Sequence, residues 1–308
     1  MILCITPNPA VDRTLIVPQL NPGQVHRATR TLVAAGGKGL NVARASRILG
    51  GDPLCMGFLG GHSGRLVAEL AGREGLRSAW TWTEAETRTC VIVVDEHAGD
   101  ATVFNENGPR VNAADWAALS AEVRRESASA EIVCLSGSLP PGSPVASLAG
   151  LLRELCAAGE QVWVDTSGTA LSTALSVAGL NLKVNAYEAG AILNRNVDSV
   201  EAAFSAARAL QERGANQVVI TLGQAGAILV MLEGVWHAQP PAIQVMSSVG
   251  SGDSFLAGLV VALAEKQPPP EALRWAVAAG TANALSAGGG QFSLGDFRSL
   301  LARTSLSP

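Results

Sequence analysis

The stretch SVGSGDSFLAGLVVALA, residues 248–264, sets Asp253 just behind Gly250 and Gly252 and just ahead of a long apolar run. A glycine-rich turn before such a run predicts a buried helix that starts at the turn. The first N–H groups of a helix have no partner inside it, and the helix dipole makes that end positive, so the stretch suits an anion. Asp and Ser are also favoured caps, and an ordinary N-cap is the competing reading. The glycine pair favours the first. A cap needs one polar side chain, whereas bare backbone matters where a ligand must approach it. Phosphate is the anion this suggests, but not through a familiar loop. The chain has no G-x-x-x-x-G-K-[ST], and this stretch lacks the third glycine of G-x-G-x-x-G.

Working outward, a second glycine cluster, Ala35-Gly36-Gly37-Lys38-Gly39-Leu40-Asn41, opens a helix predicted from Leu40 to Leu49. Gly36 and Gly37 would let a ligand lie against the backbone, with Lys38 and Asn41 offering a cation and an amide; a flexible turn before a helix is the alternative. Around both clusters, short β-branched runs alternate with helical patterns. ILCIT (2–6) and PLCMGFLG are followed by a helix near 64–74. The second half repeats the alternation, with EIVCL (131–135), a helix near 145–158, QVWVD (161–165), a helix near 169–178, LKVN (182–185), a helical EAAFSAARALQERG (201–214) and QVVIT (217–221). The strands are continuously apolar, which predicts a mostly parallel sheet covered by helices on both faces. AILVML (227–232) reads as a hairpin partner of QVVIT, and in KQPPPEALRW (266–275) prolines end one helix and start the next.

Residues 12–34 and 88–104 break this rhythm, with short strands and turns but no intervening helix. They predict a small antiparallel β lid made from two separated pieces of chain, with an edge extension of the main sheet as the alternative. The implied division is a core of residues 1–11, 35–87 and 105–308 and a lid of 12–34 and 88–104.

Bulk properties narrow the partners. The 308 residues carry 22 basic and 26 acidic groups, a balance without the electrostatic footprint of a nucleic-acid or anionic-membrane binder. A small-molecule partner is expected. The five cysteines are widely spaced and sit mostly in apolar stretches, which predicts reduced core residues, and the four histidines have no i, i+4 pair for zinc. MILCITPNP lacks the basic start of a signal peptide, so a cytoplasmic location is expected.

Together with Thr6-Pro7-Asn8-Pro9-Ala10-Val11-Asp12, the blocks GGKGLNVAR (36–44), FLGGHSG (58–64), Thr87-Arg88-Thr89, SGSLPPG (136–142), VDTSG (164–168), KVNAYE (183–188), TLGQAG (221–226) and VGSGDS (249–254) resemble, in order, the PfkB carbohydrate kinase family with its ribokinase-like fold. The resemblance covers nearly the whole chain and is strongest to the phosphosugar branch, whose members act on fructose 1-phosphate, tagatose 6-phosphate or fructose 6-phosphate. It implies that Asp253 is the catalytic base and that the N–H groups of Gly250, Ser251 and Gly252 stabilise the phosphoryl group leaving ATP. Asn185 and Glu188 would organise Mg²⁺, while Thr221, Gly223, Gly226 and Asn283 would hold the nucleotide. For the sugar it implies Asp12, Gly37 and Asn41, with Arg27, Lys38 and Arg88 toward its phosphate and Ser136 and Ser138 as hydroxyl donors. Cys90 stands where the branch usually has Asn, and Ser251 where it has Ala. The expected activity is ATP-dependent phosphorylation of fructose 1-phosphate at its 6-hydroxyl, in a homodimer paired through the lid. The alternatives are tagatose-6-phosphate kinase, 6-phosphofructokinase and, outside catalysis, a silent sugar-phosphate sensor. A dinucleotide-dependent oxidoreductase lacks its glycine fingerprint near the first strand.

Overall fold

The computed structural model describes residues 1–308. After β1 (Ile2–Thr6), the strands β2 (Ala10–Val17) and β3 (Arg30–Gly36) leave the main body, and α1 (Lys38–Ile48) brings the chain back. β4 (Pro53–Gly60), α2 (Gly61–Arg73) and β5 (Arg77–Thr83) extend the body before β6 (Arg88–Asp95) and β7 (Asp100–Asn105) leave it again. Next come α3 (Ala113–Ser127), β8 (Ile132–Ser136), α4 (Val145–Ala157), β9 (Val162–Asp165), α5 (Gly168–Ala174), β10 (Asn181–Asn185) and α6 (Ala186–Leu193). The chain ends with α7 (Val200–Glu212), β11 (Val218–Thr221), β12 (Ala227–Met231), β13 (Gly234–Gln239), α8 (Ser251–Ala264), α9 (Pro269–Ala284), α10 (Leu294–Arg303) and β14 (Ser305–Ser307).

The main sheet has ten strands in the order β14-β13-β12-β11-β10-β9-β8-β1-β4-β5. Neighbours from β5 to β11 run parallel, and β12 to β14 close one edge in antiparallel fashion. Successive side chains of a strand face opposite ways, and both faces here are dry: Ile2 and Cys4 enter a core cluster of 38 residues, Leu3 and Ile5 one of 37. Near-equal cores explain why the strands read as unbroken apolar runs. On the first face α8 is buried almost all round from Asp253 to Ala262. Gly258 permits this, because a Cβ there would fall 2.6 Å from the Trp275 carbonyl oxygen of α9. No helix is long and apolar enough to cross a membrane.

The smaller sheet has the order β3-β2-β6-β7. Its hairpins β2–β3 and β6–β7 are antiparallel, but β2 and β6 pair in parallel, so the sheet is mixed where the sequence predicted an antiparallel one. The reason lies in the main sheet. β1 and β5 run in the same direction there, and β2 and β6, which follow them, both travel outward as they leave. The helix expected to reach residue 178 stops at Ala174, where Ser176 and Val177 donate to Thr173 and Ala174 in a tightened last turn ahead of Gly179 at φ 90°.

Candidate active site

The carboxyl ends of β1, β8, β9, β10 and β11 open on one side of the main sheet, and the N-termini of α1 and α8 converge there. Such a crevice is where open α/β sheets take their ligands. The meeting point is a hydrogen bond of 2.8 Å from Asn41 Nδ2 on α1 to Asp253 Oδ2 on α8. Gly250 ends the preceding loop at φ 77°, in the left-handed region, and no side chain caps the helix. Asp253 is therefore not a cap. It lies in the first turn, 6% exposed. The N–H groups of Gly250, Gly252 and Asp253 have no backbone partner, whereas that of Ser251 donates to the Ser248 carbonyl at 3.2 Å. This corrects the expected trio of Gly250, Ser251 and Gly252: the turn uses the Ser251 donor itself and leaves the one of Asp253 free.

Beneath this turn is an ion cluster. Asp165, at the end of β9 and wholly buried, accepts from Lys183 of β10 at 2.9 Å and from Lys38 of α1 at 2.8 Å. A Cβ on Gly252 would fall 2.8 Å from Lys183 Nζ, so this glycine is bare because an ammonium lies against it. Burial would raise the Asp165 carboxyl, but Lys183 and Lys38 outweigh it and hold the group below its usual value. Burial raises the Asp253 carboxyl, as does the nearby Asp165, while Lys38, the Asn41 amide and Lys183 oppose the rise. Burial alone would lower Lys38, yet Asp165 and Asp253 push it above the usual lysine range.

The lid contributes Asp12 and Arg88. Asp12 fits only because Gly36 is bare, since a Cβ there would meet its Cγ at 2.1 Å. Burial raises Asp12 to about 6, against the attraction of Arg88 and Arg44, with Asp253 adding to the rise. Arg88 donates from Nε and Nη2 to the Asn8 carbonyl at 3.2 and 2.9 Å and from Nη1 to that of Glu106 at 2.9 Å, leaving two of its five N–H groups free. Cys90 faces Asp12 in the β2–β6 register, so the missing amide would have lain beside that carboxylate. Gly37 caps α1 at φ 118°. Ser136, at the end of β8, has a buried hydroxyl without a partner, and Ser138 Oγ accepts from Asn8 Nδ2 at 3.2 Å.

On the other flank, Asn185 and Glu188 form a capping box on α6: Asn185 Oδ1 accepts the Glu188 N–H at 2.8 Å and Glu188 Oε2 accepts the Asn185 N–H at 2.9 Å. Glu188 Oε1 is left for solvent or an ion. No group of three His, Cys, Asp or Glu could hold a metal by itself. One carboxylate oxygen beside an anion site still fits Mg²⁺, which keeps most of its waters and takes further ligands from phosphates. Thr221 ends β11, and Gly223, at φ 60°, has open space around it.

Three expected site residues are engaged differently. Arg27 lies exposed in the loop at the outer tip of the lid hairpin and makes no hydrogen bond, so a single chain does not bring it to the crevice; β2 carries that tip ~23 Å from Ala10. Gly226 is bare because a Cβ would fall 2.0 Å from the Ala238 carbonyl oxygen of β13. Asn283 is fully buried, and its amide is taken up by Ser254, Val249 and Gly290, which fastens α9 to the turn before α8 instead of lining a pocket. Conversely, Asp165, Lys183, Asn8 and Arg44 were not singled out from the sequence. A lysine in the buried strand LKVN, beside a strand ending in Asp, was the available signal for the ion cluster.

Known proteins share this arrangement along the whole chain. The sequence matches the pfkB family carbohydrate kinase over residues 5–294. It is 31% identical to 1-phosphofructokinase of Escherichia coli K12 over 304 residues, covering 99% of this chain and 97% of that one. It is 34% identical to ATP-dependent 6-phosphofructokinase isozyme 2 of the same bacterium, covering 93% of each. The crystal structure of phosphofructokinase-2 from Escherichia coli in complex with fructose-6-phosphate superposes with a TM-score of 0.91 at 32% identity, over 98% of both chains. A buried acid at a bare helix start, two glycine-rich turns facing each other and a match to the family across nearly every element lead to one conclusion: the chain belongs to the pfkB family of carbohydrate kinases, phosphotransferases with an alcohol acceptor.

Proposed function

We propose that the protein transfers the γ-phosphoryl group of ATP, with Mg²⁺, to the 6-hydroxyl of fructose 1-phosphate, giving fructose 1,6-bisphosphate. The observation that carries the reading is Asp253, buried, bonded to Asn41 and adjoined by the free N–H groups of Gly252 and its own backbone. In this reading Asp253 takes the proton of the sugar hydroxyl, whose oxygen forms the new bond to phosphorus as the bond to ADP breaks. The free amides and Lys183 face the charge on the moving phosphoryl group, where positioning and electrostatics do most of the catalysis. Mg²⁺, when bound, neutralises phosphate charge; Glu188 Oε1 and Asn185 would hold it, mostly through water. Thr221 and Gly223 would lie along the nucleotide. Asp12, Gly37 and Asn41 would hold sugar hydroxyls, and the two free N–H groups of Arg88 would hold the sugar phosphate.

The four-stranded sheet would close over the sugar as a lid and exclude water. Its face opposite Asp12 carries Val33 and Phe104, exposed at 36% and 60%, in one cross-strand row with Arg13 and Val91. The exposed Val33 and Phe104 side chains on that face support a homodimer paired through the lid, which sedimentation velocity would test.

The similarity to both 1-phosphofructokinase and 6-phosphofructokinase isozyme 2 keeps fructose 6-phosphate in view as the alternative acceptor. Steady-state kinetics on fructose 1-phosphate, fructose 6-phosphate and tagatose 6-phosphate decides: the highest kcat/KM must fall on fructose 1-phosphate. Failure to form ADP with any of them would instead support a non-catalytic sugar-phosphate binder.

A further inference from the structure

Asn41 reaches Asp253 through an amide with one donating and one accepting end, and something must decide which end faces the acid. That partner is Arg44, one turn along α1 on the same face and 6% exposed. Arg44 Nη1 donates to Asn41 Oδ1 at 2.8 Å, while Asn41 Nδ2 donates to Asp253 Oδ2 at 2.8 Å. A guanidinium has no acceptor, so only the amide oxygen can face it. The reversed amide would set its NH₂ against Arg44 and its oxygen against a carboxylate, losing both bonds. Arg44 is itself fixed: Nε and Nη2 donate to the two Glu74 carboxylate oxygens at 2.6 and 3.1 Å, Nη2 to the Ala35 carbonyl at 2.7 Å and Nη1 to the Gly289 carbonyl at 2.9 Å. The bond to Gly289 holds the 288–290 glycine loop against the amide from the other side, since a Cβ on Gly289 would fall 2.8 Å from Asn41 Nδ2.

We propose that Arg44, braced by Glu74, is a positioning residue for phosphoryl transfer: it sets the orientation of the Asn41 amide and through it the aim of the Asp253 carboxylate. Glu74 borders a surface cavity of about 480 Å³ lined also by Arg47, Leu76 and Gln291, so the brace starts at solvent and ends at the reacting acid. The inference rests on Asp253 being the base. Other charged groups facing Asp253 are Lys38 of α1, Asp165 of β9, Lys183 of β10 and Asp12 of β2. Arg44→Lys leaves all of these in place and keeps the charge at 44, so it changes the fork and little else.

The test is the pH dependence of kcat at saturating sugar and ATP for Arg44→Lys, alone and with Asn41→Ala, beside Asp253→Asn. An amide bond to the ionised acid favours the ionised form, so its loss moves the acidic limb of the profile up by about one pH unit. The expected result is that shift in Arg44→Lys, with the ATP KM changed less than about twofold, and no further shift when Arg44→Lys is added to Asn41→Ala. An unmoved limb, or a shift of equal size on the Asn41→Ala background, overturns the proposal. If Arg44→Lys does not fold, Glu74→Gln at the solvent-facing end reads the same limb. Removing that negative charge would by electrostatics alone move it down, so an upward shift supports the brace, and an unmoved or lowered limb overturns it. Retained turnover in Asp253→Asn would sink the base assignment instead, a separate result.

Discussion

Asp165→Asn tests the ion cluster under the helix start. The native carboxylate is wholly buried and accepts from Lys183 at 2.9 Å and Lys38 at 2.8 Å. Asn offers one oxygen and no charge. Lys38 is 36% exposed along its side chain and can turn to water, so its share is discounted to about 0–1 kcal/mol. Lys183, at 4%, cannot escape. An uncompensated buried ammonium costs about 3–5 kcal/mol, a fall in Tm of roughly 5–8 °C for a chain of this size. The pH dependence has a defined sign. The Asp165 carboxyl is held below its usual value, so its contribution is complete above the unfolded carboxylate range and fades as pH falls through the lower folded value. The gap between wild type and variant should thus be flat from about pH 5 to 8 and narrow below about pH 4. Activity reports independently. Asp165 helps to raise Asp253, so removing its charge should move the acidic limb of kcat to lower pH. Thermal and urea unfolding across pH, with a kcat profile, measure both. An Asp165→Leu/Lys183→Met pair, which removes both buried charges and leaves only the solvent-reaching Lys38, should recover most of the stability. A Tm change under about 2 °C with an unmoved acidic limb would refute the reasoning.

Further outcomes follow from the same geometry. Asp253→Asn should bind ATP normally and lose at least ~10²-fold in kcat, as when a general base is removed; single-turnover quench measures it, and near-normal turnover removes the role. Arg88→Lys keeps charge but loses the fork, and a lost charged hydrogen bond of about 1.5–3 kcal/mol should raise the sugar KM roughly 10–150-fold with little change for ATP. Burial raises Asp12 to about 6, so the sugar KM should rise as pH falls below that value, and Asp12→Asn should leave only the weaker dependence that the substrate phosphate itself brings; a pH-independent KM in wild type would contradict the assignment. Gly250→Ala places a Cβ 2.4 Å from Gly289 Cα at φ 77°, so a stability loss of roughly 2–4 kcal/mol from backbone strain and overpacking should appear in urea unfolding.

Much of the α/β order was readable from the residues. Continuous apolar runs such as ILCIT and QVVIT predicted buried parallel strands because both faces of the sheet are covered. The strand at RSAWTWT was missed, since an edge strand with polar and aromatic residues in turn gives neither the continuous signal nor a clean turn boundary. Parallel pairing of β2 with β6 could not be read locally, because it depends on the direction in which two distant core strands point. For the site, glycines proved ambiguous. Gly36, Gly226 and Gly252 are bare for Asp12, a neighbouring strand and a lysine respectively, contacts that only the folded chain reveals. The roles of Arg44 and Asp165 were hidden for the same reason, as each depends on partners remote in sequence.

The place of β1 between β4 and β8 bears on how the chain is made. These five residues leave the ribosome long before their second neighbour, Ile132–Ser136, which is separated from them by well over a hundred residues of translation. Until then the nascent chain carries an apolar strand with an open edge in what will be the middle of the sheet, a template for wrong pairing. Slow synthesis or a truncated transcript should therefore favour aggregation far more than the finished protein's buried core would suggest, and holdase binding to nascent chains should peak before residue 136 has emerged.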